Sequence, residues 1–257
     1  NVTMRYTVSA PATLRVDIQL PASKSISNRA LILHALSRGS LIPSNLSDCD
    51  DTMVMMRALN GNPEHIDILA AGTAMRFLTA YLSVTPGSRI ITGTPRMQQR
   101  PIRILVDALR SLGAHIEYVG NEGFPPLRIT GTTLRGKEIS LPGHVSSQYV
   151  SALLMIGAVL PEGLHLSLTG EIVSRPYIDL TLQLMQDFGA QAGWTSNSGI
   201  TVRPGGYRDV PFTVESDWSA ASYWYQMMAI SASRRKKEAA SEEVELLGLF
   251  ARSYQGD

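Results

Sequence analysis

A single cysteine, Cys49, leaves the 257-residue chain no intrachain disulfide, which fits a reducing compartment. Neither sign of charge prevails: 23 Lys and Arg stand against 22 Asp and Glu, a formal charge of +1. A general nucleic-acid binder shows a marked basic excess, so that class is disfavoured. No apolar run approaches the roughly 18 residues of a membrane-spanning helix. The N-terminal segment lacks the charged-then-apolar pattern of a secretory leader. These absences predict a cytoplasmic protein with no nucleic-acid or membrane partner. A chain of this length can bury a large core in one or two domains, so its stability requires neither disulfide nor metal.

What is present is strongly patterned. PATLRVDIQL (11–20) alternates, with Leu14, Val16, Ile18 and Leu20 on one face, and predicts a half-buried strand. In SKSISNRALILHALSRGS, Ile26, Ala30, Leu31, Leu33 and Leu36 form a helical stripe, opened by serines and closed by Gly39. An internal repeat follows. RPIRILVDALRSLGAHIEYV from Arg100 parallels RPYIDLTLQLMQDFGAQAGWT from Arg175: helix, Gly-Ala stop, short strand. Upstream of each stands another helix start, GTAMRFLTAYL from Gly72 and SSQYVSALLMIGAVL from Ser146. Residues 24–70 read as a shorter first copy, with DDTMVMMRAL as its second helix. The predicted unit is βαβαββ, used about three times, too long for a solenoid repeat. Beyond it, FTVE predicts a strand, Ser216-Asp217 a helix start, and EVELLGLF a further strand. The charged stretch at 233–242, including the run Arg234–Lys237, reads as a solvated loop or helix end.

Each copy's first helix begins with small or polar residues and leaves free backbone N–H groups there, which together with the helix dipole favour anions. The starts carry Lys24, Ser25 and Arg29; Gly72, Thr73 and Arg76; and Ser146, Ser147 and Gln148. If the copies pack symmetrically, three helix ends converge on one anionic ligand. On helix grammar alone, ordinary N-caps with solvated arginines remain the alternative.

LPASKSISNRALIL, AGTAMRFLTA, PRMQQRPIRILVDAL, SSQYVSALLM and VSRPYIDLTL resemble, in order and spacing, the signatures of the 5-enolpyruvylshikimate-3-phosphate synthase family. The resemblance implies an inside-out α/β (α+β) fold of repeated βαβαββ units. It also implies transfer of the enolpyruvyl group of phosphoenolpyruvate to the 5-hydroxyl of shikimate 3-phosphate, releasing phosphate, a step toward chorismate and the aromatic amino acids. The family uses no cofactor or metal and no covalent enzyme intermediate, so fixed donors and cations carry the chemistry.

Carried over residue by residue, Lys24 stands between the substrates as charge partner and proton donor. Ser25, Arg29 and Thr73 are ligands of shikimate 3-phosphate. Ser146, Ser147 and Ser174 hold its phosphate, with Gln148 and Tyr177 beside the ring. Phosphoenolpyruvate meets Lys24, the Gly72 backbone, Arg100 and Gln148. Arg76 and Arg175 are expected to support the fold, and Asp217 to cap a helix at the domain junction. The sequence departs from the family pattern at Ala70-Ala71, where Asn-Ala is common, and at Phe77, where proline is usual. Both flank the expected phosphoenolpyruvate site, so affinity for the analogue glyphosate does not follow from the resemblance.

The implied organisation is a shikimate-3-phosphate-binding domain at 22–213, with 1–21 and 214–257 contributing to an incomplete second domain, in a monomer. The family's catalytic aspartate and the Lys, Arg and Glu residues that close over phosphoenolpyruvate have no counterpart in these residues, so the fragment alone is expected to be inactive. One rival is the UDP-N-acetylglucosamine enolpyruvyl transferase family. It pairs Lys with Asn at the first helix, where this chain has Lys24-Ser25, and carries a reactive loop cysteine. The other is a non-catalytic ligand- or RNA-binding module of the same fold, which near-neutral charge disfavours.

Overall fold

The structure, a computed structural model, describes residues 15–61, 63–233 and 243–255. Along the chain run β1 (Arg15–Gln19), α1 (Lys24–Ser37), α2 (Asp50–Leu59), β2 (His65–Asp67), α3 (Gly72–Ser83), β3 (Gly87–Thr92), α4 (Arg103–Ser111), β4 (His115–Tyr118) and β5 (Leu127–Gly131). Then come β6 (Glu138–Pro142), α5 (Ser147–Gly157), β7 (Leu164–Thr169), α6 (Arg175–Asp187), β8 (Ala192–Trp194), β9 (Gly199–Val202), α7 (Trp218–Ser233) and β10 (Glu243–Leu247). Residues 11–14 of the expected first strand, and 234–242 of the charged stretch, lie outside the described residues.

The repeat is real in three dimensions. β2-α3-β3-α4-β4-β5 and β6-α5-β7-α6-β8-β9 are both βαβαββ, and their sheets share one strand order, β2-β3-β5-β4 and β6-β7-β9-β8. In each, the first pair is parallel and the other pairs antiparallel. The Gly-Ala stops are also the same device. Gly113 and Gly189 take positive φ, and the following alanines donate backwards, Ala114 to Leu109 and Ala190 to Met185. This is a Schellman ending, which glycine accommodates without Cβ strain.

The first copy is shorter than expected. It keeps α1 and α2, but β2, read as its end, pairs with β3 and opens the second unit. Its strand positions are reduced to isolated bridges, Ala22 with Ser216 and Ser44 with Thr213. FTVE therefore forms single bridges in place of a strand. The Ser44–Thr213 bridge is parallel, like the first pair of each complete unit.

Layering follows from burial. α3 and α5 are covered almost all round, with Leu78, Leu153 and Leu154 fully enclosed, as expected of central helices. The strands lie outside and alternate: Leu127 and Ile129 of β5 point inward, Arg128 and Thr130 outward. Among the described residues β1 pairs with β10 alone, in parallel, and Val16 is exposed, while Ile18 is half-buried and Leu20 buried.

α1 closes differently from expectation: Arg38 takes the left-handed position, with φ 55°. Gly39 serves close approach instead. A Cβ there would lie 2.1 Å from Asp209 Cγ, whose carboxylate accepts from the Ser40 and Leu41 amides at 2.8 and 3.0 Å. Those bonds, Ser40's foremost, hold the Asp209 carboxyl below its ordinary range. Gly39→Ala and Asp209→Ala are each expected to lower the thermal midpoint by a few degrees. Because they break one interaction, the double variant should fall no further than the worse single one; additive losses would separate the two residues.

Candidate active site

α3 and α5 each follow the first strand of their unit, so they run in the same direction, and α1 packs beside both. Side chains fix the level at which they meet. Gln148 Nε2, second residue of α5, donates to Thr73 Oγ1, second residue of α3, at 3.1 Å. Arg29, sixth in α1, reaches Ser151 of α5 at 3.0 Å and lies 5.2 Å from the ring of Phe77, sixth in α3. The three N-terminal turns therefore stand side by side. Their positive dipole ends point the same way, a shared preference for negative charge. Ser23 caps α1 through the Ile26 amide, and Ser146 caps α5 through the Gln148 amide. Ala71 precedes α3 and offers no side-chain cap.

That uncapped end is where two cations gather. A Cβ on Gly72 would meet Arg100 Nη1 at 2.6 Å and Arg76 Nη1 at 2.8 Å. Arg76 is buried, donates to the Gly72 carbonyl at 2.8 Å and packs over the Tyr149 ring at 5.7 Å. Its Nε is buried with no hydrogen-bond partner. Burial lowers the Arg76 pKa first; Tyr149 opposes that shift and the Arg100 charge adds to it. Two guanidiniums close together, one with an open donor and, among the described residues, neither paired to a carboxylate, have the chemistry to receive an anion. Arg76, expected to be a fold support, thus stands at the receptor itself.

The second cluster lines a cavity of about 650 Å³ bounded by Lys24, Ser25, Tyr177, Asp217, Trp218 and Gln255 among others. Lys24 Nζ lies 3.7 Å from Asp51 Oδ2, in the first turn of α2. Asp217 caps α7 as expected, accepting from the Ser219 amide at 2.9 Å. Gln255 is brought in from the far end of the sequence. Its Nε2 donates to buried Glu215 and its Oε1 accepts from the Trp218 amide. Ser174 stands at the start of α6 without making a cap bond.

Arg29 is not the open fork expected of a carboxylate ligand. It is 2% exposed, and its three nitrogens donate to Thr181 Oγ1, the Ser25 carbonyl and Ser151 Oγ at 2.7, 2.9 and 3.0 Å. Three of five N–H groups are engaged, leaving two for a ligand. Burial pulls its pKa down to about 10. Arg175 does support the fold, stacked 4.0 Å over Trp194 and donating to the Asn197 carbonyl.

A larger cavity, about 750 Å³, lies at the opposite, C-terminal ends of the same helices, lined by Leu36, Val84, Leu134 and Leu160 among others. Helix dipoles are negative there and, among the described residues, Arg38 is its one charged lining residue, so an anion is favoured at the N-terminal end instead. Among the described residues, no three His, Cys, Asp or Glu side chains gather as a metal site. No helix there is long and apolar enough to cross a membrane.

A family model described as EPSP synthase (3-phosphoshikimate 1-carboxyvinyltransferase) matches residues 8–61 and 61–236. The chain belongs to this family. A 3-phosphoshikimate 1-carboxyvinyltransferase of Bacteroides fragilis is 70% identical over 254 residues, covering 99% of this chain and 60% of that protein. One from Shewanella halifaxensis is 38% identical over 268 residues, 93% of this chain and 61% of its own. The chain thus spans about 60% of the length of these curated relatives. Among solved structures, EPSP synthase from Acinetobacter baumannii superposes with a TM-score of 0.70 at 22% identity, over 82% of this chain and 53% of that one. That match supports the mixed α/β fold alone.

Proposed function

We propose that these residues form the shikimate-3-phosphate side of an enolpyruvyl transferase site. In the assembled enzyme, the enolpyruvyl group of phosphoenolpyruvate passes to the 5-hydroxyl of shikimate 3-phosphate and phosphate leaves. The observation that carries this is the pair Arg76 and Arg100 at the glycine start of α3, with no carboxylate on either among the described residues. Phosphoenolpyruvate would be held there by the Gly72 backbone and Arg100, with Lys24 and Gln148 toward the second substrate. Shikimate 3-phosphate would take Ser146, Ser147 and Ser174 for its phosphate. Ser25, Arg29, Thr73, Gln148 and Tyr177 would surround its ring and carboxylate.

The domain division proposed for this chain places 22–213 on one side and 1–21 with 214–257 on the other. It is supported by the two crossing segments running together: the Ser23 amide donates to the Glu215 carbonyl, and Asp217 donates to Pro21. We further propose that the protein acts as a cytoplasmic monomer, which light scattering and fractionation would check. An RNA-binding module finds no support in the net charge of +1.

Calorimetric titration tests the site. Shikimate 3-phosphate is expected to bind the 257-residue chain at one site, and sulfate and a short RNA much more weakly. Equal affinity for sulfate would reduce the site to a generic anion cradle and overturn the proposal.

A further inference from the structure

Arg100 sits in an irregular stretch. It follows the 3-10 turn Met97–Gln99 and precedes α4, so no regular element fixes it. It is not the counterpart of Arg175, which opens a 13-residue helix. Yet its guanidinium is delivered to within contact of Gly72. A closed ring of contacts accounts for this. Arg76 donates to the Gly72 carbonyl and lies over the Tyr149 ring. The Tyr149 hydroxyl donates to the carbonyl of Pro101, the residue after Arg100, at 2.9 Å. Arg100 then returns to Gly72. Tyr149 itself is buried on α5, a rigid central helix.

We propose that the Tyr149 hydroxyl is the pin that positions Arg100 over the N-terminus of α3. Tyr149 is a positioning residue: it acts on the bound anion through Arg100, and this rests on the assignment of Arg100 to phosphoenolpyruvate. Its ring is the platform for Arg76 and its hydroxyl also favours the Arg76 charge, so exchange at the Arg100 and Ile102 amides, not affinity alone, reports the pin. Two other bonds hold the stretch, from the Arg100 amide to Met97 and from the Ile102 amide to Gly123, at 3.0 and 2.9 Å. Both are local to the loop or tie it to another loop. Among the described residues, the Tyr149 bond is the one hydrogen bond that ties it to α5, in the helix layer that carries the site.

The test is Tyr149→Phe, which keeps the ring and the packing, alongside Arg100→Ala. Hydrogen exchange at the Arg100 and Ile102 amides is expected to quicken on the order of tenfold, with exchange in α5 unchanged. Phosphoenolpyruvate affinity should fall about three- to tenfold, the range for one buried hydrogen bond, while shikimate 3-phosphate affinity holds. Unchanged exchange at both amides overturns the pin whatever the ligand result. Faster exchange with unaltered phosphoenolpyruvate affinity, in a protein that Arg100→Ala does weaken, overturns the positioning role. If Arg100→Ala leaves that affinity untouched while Tyr149→Phe frees the amides, the pin stands and the assignment of Arg100 to phosphoenolpyruvate falls.

Discussion

Gly72→Ala is expected to weaken phosphoenolpyruvate binding about 10- to 100-fold while leaving the thermal midpoint level or slightly raised. The new Cβ would fall 2.6 Å from Arg100 Nη1 and 2.8 Å from Arg76 Nη1. Both are tips of flexible side chains, so the fold relaxes by swinging the guanidiniums away. Gly72 is not among the positive-φ glycines, so alanine fits the backbone, and replacing glycine in a helix gains up to about 1 kcal/mol. Binding has no such escape. On the proposed assignment, the anion would be held by these guanidiniums and the backbone N–H groups they overhang, and a hydrogen bond to a charged group contributes about 1.5–3 kcal/mol. Affinity measured on protein saturated with shikimate 3-phosphate, with a melting curve beside it, checks both halves. Unaltered phosphoenolpyruvate affinity would remove Gly72 from the site. A large fall in midpoint would mean that the close approach serves packing instead.

Local chemistry was legible in the sequence, and long-range closure was not. The Gly-Ala stops at Gly113 and Gly189 announce themselves because glycine alone takes that backbone easily. The βαβαββ unit followed from them, read as about three copies, of which the structure completes two. FTVE has the alternation of a strand, yet its backbone bonds go to separate segments, Phe212 and Val214 to Ser44 and Glu215 to Ser23, so no continuous ladder forms. Arg100 and Arg175 share a dipeptide, Arg-Pro, yet one lies in a loop and the other opens α6. The difference lies in which residues downstream can start a helix. Lys24, Ser25, Gly72 and Ser146 stand at helix starts as the motifs required. Asp51 and Gln255 carried no signal. The first is one of two aspartates in an ordinary acidic helix start, and the second reaches the cavity through bonds to Glu215, Ser216 and Trp218, some 40 residues back. Arg76 had a signal that was undervalued: an arginine on an otherwise apolar helix turn, GTAMRFL, must either find a partner inside or await one.

Arg29→Met is expected to abolish most shikimate 3-phosphate binding, by at least about 100-fold, yet to move the thermal midpoint by only a few degrees. A buried side chain of this size normally behaves otherwise, since its loss destabilises by several kcal/mol. Arg29 differs because, among the described residues, its charge is buried without a counter-charge. Burial, the leading cause, pulls its pKa down to about 10, with Tyr177 a partial offset. The charged form is thus disfavoured in the folded state. That deficit is present at every pH below about 10 and fades as pH rises from there toward the ordinary arginine range, so at neutrality it is about 3 kcal/mol against folding. Methionine removes the deficit along with three hydrogen bonds, and the terms are comparable. The partners are not stranded: Ser151 and Thr181 bond each other at 2.8 Å, and Thr181 also donates to the Tyr177 carbonyl. Only the Ser25 carbonyl loses its donor. On the proposed assignment, the charge is a burden on the empty protein that a ligand carboxylate would relieve, through the two N–H groups that bond no described residue. Arg175→Ala serves as the contrast, since its cation–π stack on Trp194 lies at the sheet edge and binding should not notice its loss. Calorimetry with shikimate 3-phosphate and thermal melts on both variants decide the matter. A collapse in midpoint that parallels the loss of binding would make Arg29 a strut between α1, α5 and α6 and remove it from the ligand set.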